Sequence, residues 1–133
     1  MSSNNFDRDI LKYIWGEHPP IYLHWIGIGD EGLPDAFHHI KGRAKQNETL
    51  SSIFNALPVN NAKHLQFHGK LKVNALLFLN LVAKDLLHRL KTLADNDLMF
   101  RMDKVITETD KAFINENLEL YTPELQTQLK ELC

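Results

Sequence analysis

Residues 61–94 read NAKHLQFHGKLKVNALLFLNLVAKDLLHRLKTLA, and the expected fold turns on this stretch. It has no proline and one glycine, Gly69. Leu65, Leu76, Leu79, Ala83, Leu86, Leu90 and Leu93 line one side of a helical pattern, and Val73, Leu77 and Leu87 broaden it. Apolar residues at this period predict a single amphipathic helix of about nine turns. Asp95-Asn96-Asp97 then supplies turn and capping residues. Met99, Met102, Val105, Ile106, Thr109, Phe113 and Leu118 predict the inner face of a second long helix. The expected architecture is therefore all-α, a single-domain bundle built on a long antiparallel helix pair at about 61–94 and 97–120.

Shorter elements surround that pair. Phe6, Ile10 and Ile14 share a face in a helix at 5–15, capped by Asn4 or Asn5 and stopped at Gly16, before Pro19-Pro20 forces a break. Pro34 opens a predicted helix at 34–45, with Phe37, Ile40 and Ala44 inside. Asn47 would cap another at 47–57, which Pro58 ends. Thr122-Pro123 opens a C-terminal helix burying Leu125, Leu129 and Leu132. Residues 21–28 are rich in Ile, Tyr and Trp and read as a buried helix or an extended connector. No repeat or interior linker divides the chain, so 1–133 reads as one helical domain.

Composition narrows the function classes. A chain of 133 residues with 44% hydrophobic and 24% charged residues can bury its own core. The net charge of −2 gives no electrostatic footprint for a phosphate backbone, so nucleic acid is not the expected partner. Lys41, Arg43 and Lys45 form one small basic stripe, the only ground for a dimeric helical nucleic-acid regulator. The sole cysteine, Cys133, offers no internal disulfide. Residues 1–8 are polar, without the apolar core of a secretion signal. The most apolar run, 75–83, is far short of the roughly 20 residues that span a bilayer. A cytoplasmic protein without a membrane partner is expected.

The segment following Ile21 contains Gly27-Ile-Gly-Asp-Glu-Gly32, a literal G-x-G-x-x-G. A dinucleotide site needs a second parallel strand beyond such a loop, and the pattern downstream is helical. Asp30 and Glu31 also place negative charge where phosphates would sit. The loop reads instead as a tight acidic turn. Ser51 and Ser52 lack a glycine elbow, and Glu108 and Asp110 are two residues apart, so neither pair predicts catalysis.

Seven histidines are the unusual feature of the composition. His64 and His68 are four apart, which on a helix places both rings on one face as a two-point chelate for zinc or a similar divalent metal. His38 or His39 is the expected further ligand. Leu65 follows His64, so this is not the zinc-protease motif. Phe67-His-Gly-Lys-Leu-Lys-Val73 resembles the distal-histidine stretch of globins over seven residues. The only later histidine, His88, is twenty residues on, about 30 Å along one helix, so no haem is expected.

The run 75–83 is apolar on every side apart from Asn80, and the polar stripe of its helix passes through Phe78 and Leu81. Such a helix is buried all round, by its own chain or by a partner. A second copy packing there would make a homodimer, with Asn80 fixing register and Trp15, Tyr22 and Trp25 as anchors. The leading expectation is thus a small non-catalytic protein-binding module: an adaptor, chaperone, immunity or inhibitor protein, or regulator. The alternative is a metal-binding helical enzyme or sensor using His64, His68 and one of His38 or His39.

Overall fold

The structure, a computed structural model, describes residues 5–42 and 48–133. Its first helix, α1 (Arg8–Trp15), ends where the sequence places it but starts at Arg8 and not at residue 5, leaving Phe6 outside. Asp7 rather than an asparagine caps it, accepting from the amides of Asp9 and Ile10. Gly16, at φ 83°, ends it. Residues 21–28 prove to be a 3-10 turn (Leu23–Ile26) closed by Gly27 at φ 82°, with Tyr22, Leu23, Ile26 and Ile28 buried.

The expected helix at 34–45 is instead a strand, β1 (Ala36–His39), with residues 43–47 outside the described residues. The expected helix at 47–57 is two 3-10 turns (Glu48–Ser51 and Ile53–Asn55) running into a second strand, β2 (Ala56–Val59). The strands pair antiparallel, His38 opposite Leu57 and Phe37 opposite Pro58. Both strands of such a ribbon are edges, which is why Pro58 is tolerated. Four-residue strands are too short to display an alternating pattern, and β2 is buried along its whole length.

The decisive stretch is helical but not one helix. It forms α2 (Asn61–Gln66), α3 (His68–Val73) and α4 (Ala75–Asn96), separated at Phe67 (φ −114°, ψ 24°) and Asn74 (φ −104°, ψ 21°). The Asn74 side chain bonds back to the Lys70 carbonyl at 2.9 Å, a local competitor of regular helix. Each break resets the inward face. Leu65, Val73 and Leu76 are exposed, while α4 buries Phe78, Leu79, Val82, Ala83, Leu86 and Leu90.

The second long helix is also divided, into α5 (Met102–Val105) and α6 (Glu108–Glu116), and Leu98 and Met99 are exposed. Thr107 starts α6 with a capping box shared with Asp110. The described residues thus hold no long antiparallel pair. One long helix, α4, packs instead against α1, α3, β2, the 53–55 turn and α7 (Pro123–Lys130). Thr122 caps α7 as its sequence predicts. Asn80 reaches this junction, accepting from the Thr122 amide at 3.0 Å and donating to the Leu120 carbonyl at 3.1 Å. No described helix is long and apolar enough to cross a membrane.

Candidate metal centre

The strand β1 and the helix pair α2–α3 meet where three histidines converge. Their junction is built by capping. Asn60 accepts from the Lys63 amide to start α2, and its amide group donates to the Leu33 carbonyl at 3.0 Å. Asp35, at the entrance to β1, accepts from the Asn61 amide at 2.7 Å. The residues leading into β1 and α2 are therefore pinned to one another, fixing His38 against His64.

The glycine loop explains itself here. A Cβ on Gly32, which sits at φ 70°, would lie 2.7 Å from the Asn60 side-chain nitrogen. Gly32 lets the loop pass over the α2 cap, so the third glycine of the motif serves packing, not phosphate. Glu31 in the same loop pairs with His24 at 3.3 Å.

His38 lies on β1 and is 4% exposed, His64 on α2 is half-buried, and His68 opens α3 with its side chain exposed. Ring centroids lie 4.8 Å apart for His38 and His64, 5.6 Å for His38 and His68, and 5.3 Å for His64 and His68. One ligating nitrogen from each ring can be chosen so that all three lie within 4.8 Å of one another, a donor set able to hold a metal ion. His38 Nδ1 and His64 Nε2 are 2.9 Å apart. Two nitrogens on a tetrahedral zinc, at 2.0–2.1 Å from it, stand about 3.3 Å apart. A shift of a few tenths of an ångström converts that hydrogen-bonded pair into two ligands. His68, exposed at the rim, lies within the same 4.8 Å set and would need to approach further to ligate.

The electrostatics favour neutral imidazoles, the form that ligates. Burial pushes His38 down to about 3, with His64, His68 and His39 adding to the shift. His64 is lowered as well, by burial first and then by His68 and His39. The buried Nε2 of His38 has no hydrogen-bond partner. A buried polar atom without a partner is uncommon and costly, so the histidine cluster does not close its own hydrogen-bond account.

Successive strand residues point to opposite faces. His39 accordingly stacks on Phe6, ring centroids 4.2 Å apart, and borders the cleft without joining the triad. The cleft measures about 290 Å³ and is also lined by Gly42 and Lys72, neither of which the sequence pattern singles out. The i, i+4 spacing of His68 and Lys72 on α3 was a usable signal for Lys72. His88 lines a different cleft, shared by α4 with Met102 of α5 and with Gln128, Glu131 and Leu132, so it forms no pair with His68 around a haem.

The residues expected to bind a partner scatter. Phe78, Trp15 and Tyr22 are buried in the core, the last donating to Asp85 at 2.5 Å. At Phe78 the chain itself covers the apolar run, which corrects the expectation of Phe78 as a partner-binding residue, while Leu76 stays exposed. Leu81 is half-buried against the core, and Asn80 is bonded within the chain. Trp25 keeps 53% of its surface. Of the basic stripe, Arg43 and Lys45 lie outside the described residues. Comparison with protein-family models, curated proteins and solved structures finds no match to this chain.

Proposed function

We propose that this protein binds a divalent transition metal, zinc in the first instance, through His38, His64 and His68. The convergence of three ring nitrogens on a cleft, one from a buried strand position, carries the reading. Three imidazoles suit zinc, copper, nickel or iron over the hard cations magnesium and calcium. Three protein ligands facing a cleft leave a coordination position free, the arrangement of reactive or sensing centres and not of closed structural ones. Bound there, the metal would supply Lewis acidity at that free position.

Cobalt(II) or zinc titrated into untagged full-length protein tests this. One equivalent should bind, and His64→Ala and His68→Ala should each weaken binding strongly. Unchanged metal content in both variants ends the reading.

A second reading keeps a protein partner. Ile21 and Leu33, 40% and 70% exposed, line one cleft beside His24, whose ring neighbours Trp25. Exposed tryptophan with aliphatic neighbours is the composition of an interface anchor. Native mass spectrometry reports subunit number and bound metal together. A dimer lost on Trp25→Ser supports this surface; a monomer at all concentrations removes the homodimer.

A further inference from the structure

The cleft carries a charge imbalance. Its described lining consists of His38, His39, Gly42, His64, His68 and Lys72, with no carboxylate among them. A divalent ion on three neutral imidazoles keeps its full +2, and Lys72 adds a further positive charge at the rim. Lys72 follows His68 by four residues on α3, which places the two side chains on one helix face. Lys72 is exposed and lines the same cleft as the three rings, so its flexible side chain can reach toward the position they leave free.

We propose that the free coordination position takes an oxyanion, a carboxylate or phosphate oxygen, with Lys72 as its second cationic contact. The ligand class is a small anionic molecule, and 290 Å³ of open cleft accommodates its anionic head group. This rests on the three-histidine metal reading, and the test separates the two. Chemically the event is a ligand exchange: water leaves the metal, an anionic oxygen replaces it, and no bond within the anion is broken. Lysine donates up to three hydrogen bonds to such an oxyanion.

Full-length protein loaded with cobalt(II) is titrated with inorganic phosphate and, in parallel, acetate, reading the visible absorption of the cobalt. A saturable shift of the bands is expected with at least one of them. Lys72→Gln should weaken that anion's binding about tenfold, the size of a charge-assisted contact, and Lys72→Arg should restore most of it. Cobalt affinity without anion should be equal or somewhat higher in Lys72→Gln, because a neighbouring positive charge is removed. Cobalt bands that ignore both anions, or that vanish because the anion strips the metal, overturn the oxyanion site and leave the metal reading standing. Equal anion affinity in wild type and Lys72→Gln overturns the role of Lys72. If cobalt fails to bind at all, the metal reading falls and this inference falls with it.

Discussion

Two of the polar clusters among the described residues are built on opposite principles. At one, Asp110 at the start of α6 is buried and fully engaged. It accepts from Ser52 Oγ at 2.6 Å, the Ile53 amide at 3.1 Å, the Thr107 amide at 2.9 Å and Thr107 Oγ1 at 3.1 Å. At the other, His38 is equally buried, shares one contact with His64, and leaves Nε2 without a partner. The first cluster staples the 52–55 segment to α6 and asks nothing of solvent or ligand. The second leaves a buried nitrogen unpaired and turns three rings toward a cleft. A satisfied buried network holds a fold together. At His38 the orphan is Nε2, whereas the nitrogen that faces His64 is Nδ1, so the contrast lies between a cluster bonded within the chain and three rings turned toward a cleft.

The largest effect that sharpens this contrast is loss of the staple. Asp110→Ala strands the Ser52 hydroxyl and the Ile53 and Thr107 amides, at about 1–3 kcal/mol for each buried orphan. With partial hydration of Thr107 the expected loss is about 4 kcal/mol, measured by urea unfolding. A loss under about 1 kcal/mol would show that the cluster is not a staple. Metal should work in the other direction at the histidines. Zinc at a hundredfold its dissociation constant should raise stability by about 2.7 kcal/mol, and the gain should survive in Asp110→Ala, because the clusters share no partner.

The histidine cluster should respond to mutation with the opposite sign. His38→Leu removes an unpaired nitrogen from the core and should leave metal-free stability unchanged or raise it by up to about 1 kcal/mol. It should also abolish tight metal binding. The pH profile supplies an independent check. His38 titrates near 6.5 when unfolded and is pushed down to about 3 when folded. Between those values the unfolded chain holds the extra proton, so stability is intact above pH 6.5 and falls as the pH drops toward 3. The slope from one group approaches about 1.4 kcal/mol per pH unit. In His38→Leu that slope should flatten. A profile that stays as steep would place the acid sensitivity elsewhere.

How much of this was legible in the sequence differs between the clusters. The His64–His68 pair followed from its i, i+4 spacing, whereas His38 or His39 was only a candidate for the further ligand, with no local rule to bring it to the pair. The end of α1 at Gly16 and the start of α7 at Thr122 were also legible, because a glycine and a cap act locally. The sequence pattern missed the ribbon that delivers His38, because Phe37, Ile40 and Ala44 have helical spacing and four residues of strand carry too little periodicity to compete. It also ran one helix through Phe67 and Asn74, since neither residue type is a strong breaker. The Asp110 staple was invisible for a different reason. Its partners lie in the 52–53 segment, some 58 residues away along the chain, and no local rule joins them.

The smallest expected effect separates neighbours on one strand. His38 and His39 are equal by composition, and the sequence pattern left either one as the further ligand. A strand cannot offer both, because consecutive side chains leave opposite faces. His39 already spends its ring on Phe6. His39→Phe preserves that stacking and should change zinc affinity by less than about threefold, roughly 0.6 kcal/mol. His38→Phe in the same assay should abolish binding. If both variants lose metal alike, the ion is held by four histidines instead of three. The free coordination position, and the oxyanion that depends on it, would then disappear together.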